Sequence, residues 1–88
     1  MQLKIAVLGS EKTIYGFSVA GFSKADHVFL VFDEEINEEE LTMSFQDILN
    51  RTDVGLVFIT ENLFDILAND VKKHNKLFPS ILKIPTWL

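Results

Sequence analysis

Four short apolar runs recur along the chain, and stretches with helical spacing separate them. The runs are Leu3–Leu8, His27–Phe32, Val54–Ile59 and Ser80–Ile84. The first ends at Gly9 and reads as a strand buried on both faces. The second is rich in valine and phenylalanine, as strands are. The third is again continuous, and the fourth lies between Pro79 and Pro85. Between the first two runs, Thr13–Phe22 places Ile14, Phe17 and Ala20 or Gly21 near helical spacing. Gly16 and Gly21 weaken that helix, and Gly21 is suited to ending it.

The stretch Asn37–Arg51 is the plainest helix. Leu41, Phe45, Ile48 and Leu49 fall at i, i+4, i+7 and i+8 and form one apolar stripe. Asn37 is placed to cap it, with Glu40 as the reciprocal partner, and Glu38, Glu39 and Glu40 suit the helix dipole. After the third run, Thr60 is placed as a cap with Glu61 in the first turn. The helix then carries Leu63, Phe64, Leu67, Ala68 and Val71 on one side and ends in Lys72, Lys73 and His74. The order β-α-β-α-β-α-β predicts a parallel sheet in a single α/β domain with helices on both faces, Rossmann-like or receiver-like in its three layers. With 88 residues the core is thin, although eight phenylalanines are expected to supply much of its mass.

A strand, a glycine turn and a helix are what nucleotide-binding proteins use to hold phosphate, so the turn after Gly9 is a test case. A dinucleotide fingerprint needs G-x-G-x-x-G and a Walker loop needs G-x-x-x-x-G-K-[ST]. Here Gly9 is followed by Ser10 and Glu11, and the next glycine is Gly16. Glu11 also puts negative charge where phosphate would lie. The turn therefore reads as a connection, and no cofactor is expected. A receiver domain would need an aspartate at the end of its third strand, where this chain has Ile59-Thr60. A receiver-like signalling domain remains the alternative reading.

Asp33, Glu34, Glu35, Glu38, Glu39 and Glu40 form an acidic patch without the spacing of a calcium loop, and no metal is expected. It reads as a solvated loop and helix start. His27 and His74 show no triad-like arrangement and read as structural or exposed, and no catalytic residue is assigned. The net charge of −5 argues against nucleic acid or an anionic membrane surface as main partner. The absence of cysteine excludes disulfides and thiolate sites and fits a cytosolic protein. No apolar run approaches the length needed to span a bilayer, and the first residues lack the features of a signal peptide. Trp87 is expected to pack on the sheet or on a partner.

Three ordered blocks resemble the F subunit of the V-type and A-type rotary ATPases. Lys4–Phe17, KIAVLGSEKTIYGF, is similar to the family's opening K-I-A-V-I-G-D-x-D-T-V-x-G-F. Phe45–Glu61, FQDILNRTDVGLVFITE, is similar to its helix, Arg-x-Asp-[IV]-Gly, apolar strand and Thr-Glu. Pro79–Pro85, PSILKIP, is similar to P-x-[IV]-[LV]-x-I-P. Ser10 and Lys12 replace two aspartates of the first block, and residues 1–88 are expected to form a single F-subunit-like α/β domain without the family's usual C-terminal helical tail.

The resemblance implies strand order 2-1-3-4, and a non-catalytic rotor role on the central stalk, bound to the coiled-coil D subunit and coupling ATP turnover to ion transport. It implies a cytoplasmic location peripheral to a membrane-bound complex, without membrane insertion. With that strand order, Ser10, Glu11, Thr60 and Glu61 line one rim at the carboxyl ends of the strands, and partner contact is expected there.

Overall fold

Each apolar run becomes a strand. A computed structural model describes residues 3–33 and 35–86 of the chain. Trp87 and Glu34 lie outside the described residues. The strands are β1 (Lys4–Gly9), β2 (Val28–Val31), β3 (Val54–Thr60) and β4 (Ser80–Ile84), and the helices are α1 (Glu11–Val19), α2 (Glu38–Leu49), α3 (Glu61–Ile66) and α4 (Ala68–Lys73). All strand pairs are parallel, and their order is β2-β1-β3-β4, as expected. Among the described residues, no helix is long and apolar enough to cross a membrane.

The core lies between the sheet and the helices α2 and α3. Ala6 and Leu8 of β1 and Val57 and Ile59 of β3 meet Leu41, Phe45 and Ile48 of α2 and Leu63 of α3, with Leu67 completing the cluster. The stripe predicted for α2 is therefore the face that packs. Most of the core mass is aliphatic, contrary to expectation. Of the eight phenylalanines only Phe45 is fully buried, and Phe78 is exposed. The others are half-buried, with Phe32 and Phe64 packed against the cluster from outside it. Phe17 of α1 stands against Phe58 of β3 at 5.2 Å and Phe22 at 5.7 Å, and Phe22 meets the His27 ring at 5.4 Å. These rings hold α1 to the opposite face of the sheet, where offset and edge contacts are favourable.

The helix ends follow local chemistry, with two departures. Gly21 has φ of +105°, and the amides of Gly21 and Phe22 donate to the carbonyls of Ser18 and Phe17. That is a Schellman stop, and the Phe17–Phe22 ring contact is its usual apolar clasp. The regular helix consequently ends at Val19, before the predicted Phe22. Asn37 caps α2 by accepting from the Glu40 amide at 3.1 Å. The predicted single helix after β3 is interrupted at Leu67, where the backbone leaves helical geometry and α4 begins anew. Thr60 does not cap α3 with its side chain, because its hydroxyl is turned to Asn62 instead.

One irregularity sets the register. The partner of β1 jumps from Val54 at Lys4 to Leu56 at Ile5, so Gly55 is passed over. A Cβ at Gly55 would lie 2.8 Å from the Leu3 Cδ1 and 3.0 Å from its Cβ, so a side chain at this step would have to displace Leu3. At the same end the ladder is extended by a side chain, since the Ile5 amide donates to His27 Nδ1 at 3.1 Å. His74 Nε2 likewise donates to the Pro79 carbonyl at 2.8 Å. Both histidines thus bond to backbone, as a structural reading of them expects.

Candidate functional site

The chain leaves β1 through α1 on one face of the sheet and leaves β3 through α3 on the other, the face that α2 also covers. The loops at the carboxyl ends of β1 and β3 therefore diverge, which leaves a crevice where open α/β sheets engage ligands. Leu8 pairs with Ile59, so the residues that follow, Gly9 with Ser10 and Thr60 with Glu61, come to one rim. The four residues predicted for this rim are brought together, but they are not equivalent. Glu11 and Glu61 are exposed, Ser10 is half-buried, and Thr60 is 1% exposed. Thr60 supports the rim from beneath.

Close packing beneath the rim depends on Gly9. A Cβ there would lie 2.8 Å from Thr60 Cγ2 and 3.2 Å from Thr13 Cβ. Ser10 caps α1, its Oγ accepting from the Thr13 amide at 3.4 Å and lying 3.2 Å from the Thr13 hydroxyl. The Glu11 amide donates to Asp33 Oδ1 at 3.1 Å. Asp33 comes from the loop after β2, so the chain's own carboxylate occupies the helix N-terminus where a phosphate would lie. Local spacing gives no sign of this contact, because 22 residues separate the partners.

A second network is equally hidden in the sequence. Thr60 Oγ1 donates to Asn62 Oδ1 at 2.7 Å, and Thr86 Oγ1 donates to the same oxygen at 3.1 Å while accepting from the Asn62 amide at 3.1 Å. Asn62 thereby ties the exit of β4 to the start of α3. Among the described residues, the exposed charges of this rim are mostly acidic: Glu11, Asp33 and Glu61, with Glu35 and the first turn of α2 beside them, and Lys12 the cation in the first turn of α1. Such a surface is suited to a basic partner.

The block Arg51-Thr-Asp53-Val-Gly55 lies at the other end of the sheet. Arg51 grips Asp53 through Nε at 2.9 Å and Nη2 at 2.8 Å, and Lys4 Nζ stands 3.6 Å from the same carboxylate. The Lys4 amide also donates to the Asp53 carbonyl at 2.7 Å. The hydrogen bonds from Arg51, with the nearby positive charges, hold the Asp53 carboxyl well below the usual carboxylate range. A carboxyl held low in the folded state favours folding above that range, and the contribution fades as the pH falls through it. In thermal melts taken across a pH series, the wild-type chain is expected to exceed Asp53→Asn at neutral pH. The difference should close on acidification and narrow with added salt, since both partners are partly exposed. A gap independent of pH would show that the fork contributes through shape alone.

The family model described as ATP synthase (F/14-kDa) subunit matches residues 5–87. The chain is similar to the V-type proton ATPase F subunit of Homo sapiens, at 31% identity over 86 residues that cover 93% of this chain and 72% of the relative. It is similar to that of Dictyostelium discoideum at 28% identity with the same coverage. The F subunit of the V-type ATP synthase of Archaeoglobus fulgidus, known from a crystal structure, superposes with a TM-score of 0.69 at 24% identity. The match covers 96% of this chain and 99% of that one, and it shows the same fold.

Proposed function

Because the chain belongs to the family of the ATP synthase (F/14-kDa) subunit, we propose that it is a non-catalytic central-stalk component of a V-type or A-type rotary ATPase, held on a coiled-coil stalk subunit. It transmits rotation between ATP turnover and ion transport, on the cytoplasmic side and peripheral to the membrane. The observation that carries this reading is the similarity to the V-type proton ATPase F subunit along 93% of the chain. The site supports it as well. The α1 N-terminus is filled by Asp33, and the exposed rim offers carboxylates to a surface rather than a cradle to a nucleotide.

Within this reading Ser10, Glu11 and Glu61 touch the stalk partner, and Thr60 positions them from below. The purified chain is expected to bind a recombinant coiled-coil stalk subunit of the same ATPase in a titration followed by calorimetry. Reversing the rim in Glu11→Lys/Glu61→Lys should weaken that binding by about tenfold or more, because like charges then face each other across the contact. Loss of binding should occur without a drop in melting temperature, as both side chains are exposed. Failure of the wild-type chain to bind would overturn the stalk assignment, and binding unaffected by the reversal would move the contact off this rim.

A further inference from the structure

The two ends of the sheet expose opposite chemistry. The carboxyl end is acidic, as described above. At the amino end lie Lys4, Arg51 beyond α2, Lys72 and Lys73 in the last turn of α4, and Lys76 in the loop that follows. In the same place large apolar side chains stay in water: Leu3 is 48% exposed, Leu77 79% and Phe78 58%. Leu3, Leu49, Arg51, Lys76, Phe78 and Pro79 line one cleft of ≈ 370 Å³. Leu77 stands outside the cleft, but Leu3 and Phe78 share it with Arg51 and Lys76, so exposed apolar and cationic side chains meet in one concavity.

The cleft is preformed. The loop that carries Leu77 and Phe78 is tied by the bond from His74 to the Pro79 carbonyl at 2.8 Å and by Ser80 Oγ donating to the Leu77 carbonyl at 3.2 Å. Arg51 is held flat by its fork on Asp53, so its position on the rim is fixed as well.

Resting on the rotary-ATPase reading above, we propose that this amino-end cleft docks an acidic, apolar segment of another subunit of that complex. An apolar side chain of that segment rests on Leu3 and Phe78, and its carboxylates face Lys76 and the Lys4–Arg51 side. Charge complementarity selects the partner's sign, since Lys4, Arg51 and Lys76 stand at the cleft against the single Asp53 carboxylate that pairs with the first two, and Asp26 lies before β2, outside the cleft lining. The concave shape favours a protein segment over a bilayer, because adsorption to lipid needs an apolar face that can be pressed into the headgroups. The net charge of −5 also opposes an anionic membrane. This site is independent of the carboxyl-end rim, which suits a partner of opposite charge.

The test uses the full chain expressed in its native complex, with Phe78 replaced by the photoreactive p-benzoylphenylalanine and, as control, Val19, a similarly exposed apolar residue on α1. Irradiation is expected to join position 78 to one peptide of another subunit, sequenced by mass spectrometry and rich in Asp or Glu and in Leu, Ile or Phe. Position 19 should give no such adduct. Adding Lys76→Glu should lower the yield at position 78 by about tenfold, as a reversed charge faces the partner's carboxylates. The melting temperature should stay unchanged. A basic peptide, a lipid adduct, a self-adduct, no adduct, equal labelling from position 19, or a yield unaffected by Lys76→Glu would each overturn the proposal.

Discussion

Replacing Phe45 by alanine is expected to lower the free energy of unfolding by about 3–5 kcal/mol. Phe45 is fully buried and lies in the cluster that joins α2 to β1, β3 and α3. Its removal costs the transfer of a whole ring out of the core, and it leaves a void that rigid strands close only in part. A chain of this length has roughly 4–13 kcal/mol of stability at typical values per residue, so the variant should lose a large share of its stability. The midpoint in urea should fall while the slope of the transition stays constant. Phe45→Leu keeps most of the apolar volume and should lose markedly less. A loss below about 1 kcal/mol for the alanine variant would mean that the cluster collapses onto the vacancy, and that one ring is not central to so thin a core.

Gly9→Ala should act by the opposite route, crowding instead of emptying, and cost about 1–3 kcal/mol. The added methyl would lie 2.8 Å from Thr60 Cγ2, closer than carbon atoms approach without displacement. Thr60 is buried and its hydroxyl is committed to Asn62, so it cannot swing away without leaving a buried polar group unpaired. Thr60→Ser removes the opposing methyl and keeps the hydroxyl. In the double variant part of the loss should therefore return, with an interaction energy of about 0.5–3 kcal/mol in a double-mutant cycle. Recovery should be incomplete, because Thr13 still lies 3.2 Å from the new atom. If Gly9→Ala costs the same with and without the Thr60→Ser change, crowding at this contact is not the cause.

How much of this can be read from residues alone depends on how local the responsible interaction is. The strands, the α2 stripe, the Asn37 cap and the Gly21 stop depend on neighbours within a few positions, and each is present where the spacing places it. The strand order comes from likeness to a family, since periodicity alone does not order parallel strands. The aromatic content misleads for a physical reason. In a domain this small the fully buried space between the sheet and α2 and α3 is filled mostly by aliphatic side chains, so most rings stay half-buried around it or on the α1 face. The break falls on Leu67, itself a residue with good helix propensity, so no local signal marks it.

At the rim, the residue types are readable and the partners are not. Glu11 and Asp33, like Thr60 and Thr86, meet only because the sheet brings distant loops together. Thr60 is grouped with its outward-facing neighbours by sequence position. Alternation along β3 and the closeness of Gly9 turn it inward.

The Asp33 contact also bears on how the domain responds to small anions. Any phosphate arriving from solution must evict a competitor tethered on the same chain, whose local concentration is set by a short loop and does not dilute. Fluctuating levels of nucleotide or phosphate would then leave the helix entrance unaltered. At that amide the domain answers to its own carboxylate before it answers to a solute.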